Sequence, residues 1–333
     1  MQTLVSSIFV FGMLIFFHEL GHFIVAKLSD IKVNEFSLGF GPQVIGIKSK
    51  ETHYSIRILP FGGYVKMEGE DTQTSDPRAF NNKSVLTRLG VVLAGPLMNF
   101  ILAILLLAII GFYSGFASTQ VTVIPGEPAQ LSGIQNNDNI HAINNHKVNS
   151  WEEIVEIISS KPNERITVTV IRNGEYVDYS VITAVEPETQ RGVIGIQTVI
   201  LKHSILDSIK YGIQNTVWIL KMILMGFFQM LTGKVKADVV GPLGLAQIVG
   251  EAAKMGVYQL LYIAAIISAN LGLFNLFPIP ALDGGRGVFL VFELLRGKPV
   301  EAEKEGLIHF IGFALLMFMM IIILFKDIKE LWI

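Results

Sequence analysis

Residues 16–28 read FFHELGHFIVAKL, which places two histidines and a glutamate inside an apolar stretch. The stretch lies within an N-terminal segment that exceeds the roughly 20 apolar residues needed to cross a bilayer. Ionisable side chains cost several kcal/mol in that setting, so they are retained where they have a function. We therefore predict a first transmembrane helix over residues 1–28 that carries a functional site.

The three polar residues of this stretch, His18, Glu19 and His22, form an H-E-x-x-H motif. On a helix, residues four apart lie on the same face, so both imidazoles can reach one metal ion. Glu19 can then approach a water at that metal and accept its proton as a general base. The competing interpretation is a chance pattern, and the membrane setting argues against it because these groups would then be buried in lipid without a use.

The composition is that of a membrane protein. Of the 333 residues, 51% are hydrophobic and 16% are charged, against about 25% charged in soluble domains. The formal net charge of -2, with no basic patch interleaved with aromatic residues, predicts no nucleic-acid partner. The chain has no cysteine, so disulfides are excluded and any metal must be bound by histidine and carboxylate side chains.

Apolar segments predict about four transmembrane helices, at residues 1–28, 85–114, 258–284 and 306–326. An amphipathic helical region at 203–255 lies between the second and the third, and whether it crosses the membrane or lies on it is left open. Lysine and arginine are concentrated between the first and second spans and between the third and fourth. The positive-inside rule therefore predicts that these two segments are cytoplasmic and that residues 117–200 lie outside.

The rise of an α-helix gives the depth of the histidine motif. His18 lies fourteen residues after Leu4, about 21 Å along a helix. In a hydrocarbon core about 30 Å thick, the predicted metal would lie within the bilayer and nearer the cytoplasmic side.

Two segments have the pattern of strands and turns. Residues 34–70 alternate apolar and polar side chains between glycines, which predicts a membrane-associated β-hairpin region. Residues 117–200 predict a small α+β domain, with a helix capped by Ser150 and a hairpin that turns at Asn173-Gly174. The predicted fold is a polytopic α-helical membrane protein with these two insertions.

The sequence NLGLFNLFPIPALDGGR at residues 270–286 offers a third metal ligand. Asp283 follows an apolar segment broken by Pro278 and Pro280, and the Gly-Gly pair after it would allow a tight turn. A carboxylate at membrane depth needs a partner, which a site with two histidines provides. The alternative for Asp283 is a helix cap or turn at the membrane surface.

Two asparagines precede this aspartate. Asn270 and Asn275 would hold an extended substrate or an oxyanion by hydrogen bonds, or else join helices within the membrane. The sequence does not decide between these two roles.

Together these residues resemble the site-2 protease family of intramembrane zinc metalloproteases, in its bacterial regulator-of-sigma-E protease branch. The resemblance is carried by HELGH at 18–22, GPLMN at 95–99 and NLFPIPALDGG at 275–285. It implies zinc bound by His18, His22 and Asp283, with Glu19 as the catalytic base. The resemblance further implies four residues that position the substrate: Asn275, Asn270, Pro278 and Pro280. It also implies a close helix contact at Gly95 and Asn99.

The resemblance also implies a place and a class of substrate. Residues 117–200 would form one PDZ-like domain, which binds C-termini, acts as a size filter over the active site or serves only as a structural cap. The protein would lie in the bacterial cytoplasmic (inner) membrane, in contact with lipid. Its substrates would be single-pass membrane proteins, such as pre-trimmed anti-sigma factors and remnant signal peptides, cut in regulated intramembrane proteolysis.

A peptide bond inside a helix must be unwound before it can be cut. We hypothesise that the substrate adds as a strand to the edge of the hairpin region at 34–68, where proline at Ile56 or Ile58 should then cut turnover. The alternation at 54–58 and the helix-breaking prolines at 278 and 280 motivate this hypothesis. Two other functions compete. A scaffold would bind partners through the outer domain and would tolerate Glu19→Gln, and a transporter would use a zinc or proton site at His18 and His22. The transporter would favour further acids in the other spans, and 89–113 and 308–325 contain none.

Overall fold

The apolar N-terminal segment forms one uninterrupted helix, α1 (Gln2–Leu28). This and all other structural features come from a computed structural model that describes residues 1–70, 74–201, 204–235 and 240–331. The chain divides into two units, one formed by residues 1–106 with 216–333 and the other by residues 107–215.

Four helices in the described ranges are long and apolar enough to cross a membrane. They are α1, α2 (Val85–Ser114), α7 (Val257–Asn275) and α9 (Ala302–Leu331). This confirms the predicted polytopic helical architecture. Three further helices are α5 (Ile205–Leu231), α6 (Pro242–Met255) and α8 (Asp283–Arg296).

Glycines bring α1 and α2 into close contact. A Cβ atom at Gly21 would lie 2.2 Å from the carbonyl oxygen of Ala94, and one at Gly95 would lie 2.2 Å from Nε2 of His22. Small residues are the usual means by which membrane helices approach each other, because lipid provides no hydrophobic driving force between them. The contact places the histidine face of α1 directly against α2.

The N-terminal half of α1 packs against α6. The Ser7 hydroxyl donates to the Ala246 carbonyl at 3.3 Å. The N-terminus of α6 is fixed in turn by Asp327 of α9, whose carboxylate accepts hydrogen bonds of 3.1–3.2 Å from three amides at residues 241–244. A carboxylate at this position satisfies amides that have no partner within their own helix.

The region between α1 and α2 forms two long antiparallel strands, β1 (Val33–Ser49) and β2 (Thr52–Met67), which fold back on each other. The pairing gives the spatial order 43–49, 52–57, 33–38, 63–67. The chain bends at Gly39 and Gly62, whose φ angles of 87° and 89° are accessible mainly to glycine. The predicted hairpin region is therefore a small sheet with two edges.

The hypothesis that a substrate strand adds at Ile56 is wrong. Ile56 pairs with Leu38 on one side and with Ile45 on the other, so this stretch lies inside the sheet rather than at an edge. Alternation of apolar and polar side chains marks a strand, but it does not give the strand's place in the sheet.

The predicted third span at 258–284 is interrupted. Helix α7 ends at Asn275, residues 276–282 form a loop, and Asp283 is the first residue of α8. The expected tight turn after Asp283 is also wrong, because the Gly-Gly pair lies in the first turn of α8. A Cβ atom at Gly284 would lie 2.2 Å from the Phe277 carbonyl oxygen, so this glycine lets α8 begin against the loop backbone.

A cluster of charges at the turn between β1 and β2 connects this turn to the end of α1 and to the segment before α2. Glu51 binds Arg78 through two hydrogen bonds of 2.7 and 2.9 Å and Lys27 through one of 2.6 Å. The Arg78 and Lys27 hydrogen bonds lower the pKa of Glu51 from 4.5 to about 2. A lowered carboxyl pKa stabilises the fold above about pH 4.5, and the contribution is lost as the pH falls towards 2.

We therefore expect Glu51→Gln to lower the thermal midpoint at pH 7 and to have a progressively smaller effect as the pH falls from 4.5 towards 2. The measurement is a thermal unfolding series in detergent against wild type. Glu301→Gln is the control, since Glu301 and its partner Lys304 are mostly exposed. A Glu51→Gln effect that does not change with pH would contradict the assignment.

The second unit is an α+β domain with a six-stranded sheet. The strand order is β10-β3-β4-β6-β7, with β5 paired to β4, and a separate pair joins β8 to β9. The strands are β3 (Phe116–Val123), β4 (Asn139–Ile143), β5 (His146–Lys147), β6 (Arg165–Arg172), β7 (Glu175–Ile182), β8 (Ala184–Val185), β9 (Gly192–Val193) and β10 (Ile196–Leu201), and the helices are α3 (Pro128–Leu131) and α4 (Trp151–Ser159).

Two local predictions in this unit are confirmed. β6 and β7 form a hairpin with Arg172 opposite Glu175, and both turn residues, Asn173 and Gly174, have positive φ. Ser150 caps α4 by accepting the Glu153 amide at 3.2 Å. The Glu153 carboxylate accepts from the amide of Asn149 at 2.8 Å, one residue before the position that a capping box would give.

Candidate metal centre

Three side chains from two helices converge on one point. His18 and His22 lie one turn apart on α1, and Asp283 opens α8. The two histidine Nε2 atoms are 3.3 Å apart, and Oδ2 of Asp283 lies 3.2 Å from Nε2 of His18 and 3.4 Å from Nε2 of His22. The predicted ligands are therefore brought together, with one atom of each facing the others.

The separations suit a zinc ion. Zinc–nitrogen and zinc–oxygen bonds of about 2.0–2.1 Å in a tetrahedron place ligand atoms about 3.3 Å apart. Oδ2 of Asp283 is buried and has no hydrogen-bond partner among the described residues, as expected for an oxygen that would bind a metal. Two histidines, one carboxylate and an open fourth position form a donor set typical of catalytic zinc.

Hydrogen bonds to α2 orient both histidines. Nδ1 of His22 lies 2.8 Å from the carbonyl oxygen of Val91 and so carries the proton that it donates, which leaves Nε2 with a free lone pair. Nδ1 of His18 lies 3.1 Å from the side-chain amide of Asn99. The Val91 contact could not be predicted from the sequence, because a backbone carbonyl carries no residue signature.

A cavity of about 210 Å³ opens at this cluster. Its wall combines the motif on α1, the last strand of the sheet, part of α2 and the start of α8. The lining residues are His18, Glu19, His22, Gly63, Tyr64, Val65, Met67, Glu70, Val91, Val92, Asp283 and Arg286. Glu19 is therefore in the same cavity as the three candidate ligands, beside Gly63, where a Cβ atom would lie 2.9 Å from its Cγ.

The other predicted site residues lie outside the cavity wall. Asn270 and Asn275 belong to α7, where Oδ1 of Asn270 is buried without a hydrogen-bond partner in the described ranges. Pro278 and Pro280 lie in the loop that leads to Asp283. The loop is fixed by α9, since the Ala281 amide donates to Nδ1 of His309 at 2.9 Å.

Sequence reasoning missed a polar pair at the cavity. Arg286 of α8 forms an ion pair with Glu70, and the other oxygen of Glu70 accepts the amide of Met67 at 3.2 Å. Arg286 follows directly on the LDGG sequence, and its position beside this motif could have marked it as a residue of the site. Nothing in the local pattern around Glu70 distinguished it from other polar turn residues.

Comparison with known proteins identifies the family. Residues 6–319 match the model of peptidase family M50. A Clostridium acetobutylicum protein named as a zinc metalloprotease is 44% identical over 98% of this chain and 97% of its own. The regulator of sigma-W protease RasP of Bacillus subtilis is 31% identical over 99% of both chains. The zinc metalloprotease RasP of Geobacillus kaustophilus is 34% identical over 99% of this chain and 98% of its own.

The solved structures similar to this chain each cover about a quarter of it. The PDZ domain of an SdrC-like protein from Listeria monocytogenes aligns over 26% of this chain and 90% of its own, with 19% identity and a TM-score of 0.22. The near full-length relatives and the family match concern the whole chain, including the helices that carry the histidines and Asp283. The chain therefore belongs to peptidase family M50, the site-2 protease family, as a multi-pass zinc metalloprotease of the inner membrane.

Proposed function

We propose that this protein cuts peptide bonds within the transmembrane segments of single-pass membrane proteins. The observation that carries the proposal is the placement of Glu19 and the His18, His22 and Asp283 cluster in one cavity, on a helix apolar enough to span the bilayer. A soluble active site would not need such a helix. A protease that acts on membrane segments does.

We assign roles to four residues. His18, His22 and Asp283 would hold zinc, which when bound supplies a Lewis acid and a water of lowered pKa. Glu19 accepts the proton of the attacking water and passes it to the leaving amine. Glu19 can serve both steps because it shares the cavity with the ligands but is not one of the three atoms that converge.

The edge of the sheet at residues 63–67 is the proposed docking site for the substrate. No described strand pairs with its outer side, and Gly63 and Val65 line the cavity. The Glu68 amide donates inward, to Lys32 at 2.9 Å. Because successive amides of a strand point to opposite sides, those of Met67, Val65 and Gly63 point outward.

An extended substrate would pair with these groups and lie along the cavity. The Met67 amide already donates to Glu70, which is held by Arg286. This arrangement leaves the amides and carbonyls of Gly63 and Val65 for the substrate, in the cavity that also contains Glu19. Strand addition would also keep the cut segment extended, as hydrolysis requires.

The test is Val65→Pro, which removes one outward amide without breaking the ladder to β1. We expect kcat/KM on a single-pass test substrate to fall about 2- to 10-fold per hydrogen bond lost, with zinc content unchanged. Val65→Ala is the matched control, because it alters the side chain and keeps the amide. Equal activity of the proline and alanine variants would refute docking at this edge.

Substrate class and regulation are proposed from the relatives. One of them is named a regulator of sigma-W protease, which points to anti-sigma factors as substrates. We propose pre-trimmed anti-sigma factors and remnant signal peptides, cut in regulated intramembrane proteolysis. Asn270 and Asn275 of α7, with Pro278 and Pro280 of the loop before Asp283, are proposed to position the substrate.

We further propose that the PDZ-like domain is outside the cell membrane and that the active site lies within the bilayer, nearer the cytoplasm. The support is the distribution of lysine and arginine and the position of His18 along α1. Labelling of single introduced cysteines by a membrane-impermeant reagent in intact cells tests this, since the chain has no cysteine of its own. A cysteine at exposed Gln190 should react, and one at exposed Lys50 should not.

A further inference from the structure

Two residues of the GPLMN sequence at 95–99 face the candidate metal centre, which a contact between helices alone does not explain. Val91, Gly95 and Asn99 are spaced four apart, so they lie along one face of α2. Each of the three meets a histidine of the candidate metal centre. The Val91 carbonyl accepts from His22, Gly95 gives space to the His22 ring, and Asn99 faces His18.

Asn99 is completely buried. Its Nδ2 lies 3.1 Å from Nδ1 of His18, while its Oδ1 has no hydrogen-bond partner among the described residues. Its backbone carbonyl accepts from the Ser268 hydroxyl of α7 at 2.8 Å, which fixes the helix but not the side chain. A buried amide oxygen without a partner costs about 1–3 kcal/mol, so this arrangement calls for an explanation.

The chemistry of a metal-bound histidine supplies one. A neutral imidazole carries one proton, and a zinc ligand through Nε2 carries it on Nδ1. An Nδ1–H group donates, so it cannot accept from Nδ2 of Asn99. A half-turn of the amide exchanges its oxygen and nitrogen without changing its shape, which places Oδ1 against the Nδ1–H group. This rotation gives Oδ1 a donor and removes the contact between two donors at Nδ1 of His18, and it moves Nδ2 to the position that Oδ1 held.

We propose that Asn99 is a positioning residue for the zinc site. Its Oδ1 accepts a hydrogen bond from Nδ1–H of His18 and so directs Nε2 of His18 towards the metal. The inference rests on the proposed zinc ligands. Together with the Val91 carbonyl, Asn99 gives α2 one acceptor for each histidine, and Gly95 provides the space between them. The metal centre would thus be built by α1 and α8 and oriented by α2.

The test is zinc affinity, measured by competition with a chelator on the purified full-length protein. We expect Asn99→Leu to weaken zinc binding about 10- to 100-fold, as loss of such a partner typically does. Asn99→Asp keeps an oxygen towards Nδ1–H in either orientation, so its Kd should stay within about threefold of wild type. Ser268→Ala is the matched control, because it removes the neighbouring buried hydrogen bond and should leave the Kd unchanged.

A wild-type Kd for Asn99→Leu would overturn the inference, as would equal weakening by Asn99→Asp and Asn99→Leu. A second measurement does not depend on any variant folding. In the zinc-loaded wild type with labelled histidines, ¹⁵N NMR should show a protonated Nδ1 on His18, and a protonated Nε2 would refute the proposal. His18→Ala separates the two levels: if it retains wild-type zinc affinity, the proposed ligands fail along with Asn99, whereas an unaffected Asn99→Leu alone refutes only the role of Asn99.

Discussion

Glu19→Gln should abolish cleavage of a single-pass test substrate while the protein keeps its zinc. A positioned general base contributes about 10²–10⁴-fold to a rate, and glutamine cannot accept the proton of the attacking water. The substitution preserves the size of the side chain. Glu19 also contributes none of the three candidate ligand atoms, which lie within 4.8 Å of one another on His18, His22 and Asp283. The expected result is wild-type zinc content with cleavage reduced by at least about 100-fold.

The measurement combines metal analysis with a gel-based cleavage assay on wild type, Glu19→Gln and His18→Ala. The histidine variant should lose zinc and activity together, which separates the loss of a ligand from the loss of a base. Cleavage by Glu19→Gln within tenfold of wild type would mean that another group is the base. Loss of zinc by Glu19→Gln would mean that Glu19 binds or supports the metal rather than accepting the proton.

The two histidines and the glutamate could be predicted from the sequence because the relation among them is local. The helical repeat fixes His18 and His22 on one face whatever surrounds them. Asp283 was harder, since it is distant in the chain and required the argument that a carboxylate at membrane depth needs a partner. The structure brings its Oδ2 to within 3.2 and 3.4 Å of the two imidazoles.

Features that depend on the packing of several elements could not be predicted. The sequence of β2 shows a strand, but the edge at 63–67 exists only because β1 pairs with two parts of β2 at once. The Gly-Gly pair after Asp283 suggested a turn, since glycine favours turns. The structure uses Gly284 instead to bring the first turn of α8 against the carbonyl of Phe277.

Helix α2 shows the same limit. Its GPLMN sequence is typical of a close helix contact, and the contact exists, because Gly21 of α1 lies against the Ala94 carbonyl. Only the three-dimensional arrangement shows that the residues on either side of that contact face the two histidines. Close packing and metal geometry are therefore requirements on the same few positions, so a change in helix packing should act on the zinc site.

Gly95→Ala should accordingly weaken zinc binding strongly, although it adds only one methyl group. The new Cβ would lie 2.2 Å from Nε2 of His22 and 2.7 Å from its Cε1, far inside van der Waals contact. Either the imidazole turns away from Asp283 or α2 moves and withdraws the Val91 carbonyl, and each displaces a ligand. We expect zinc affinity to fall about 100-fold or more, with cleavage lost in proportion.

Gly90→Ala is the matched control for this substitution. It lies in the same helix, its Cβ would meet nothing within 4 Å, and alanine favours a helix over glycine by about 1 kcal/mol. It should therefore keep wild-type zinc affinity and activity and slightly raise the thermal midpoint. If Gly95→Ala binds zinc as tightly as Gly90→Ala, the His22 ring has room to move without losing the metal, and the close approach of α2 serves packing alone.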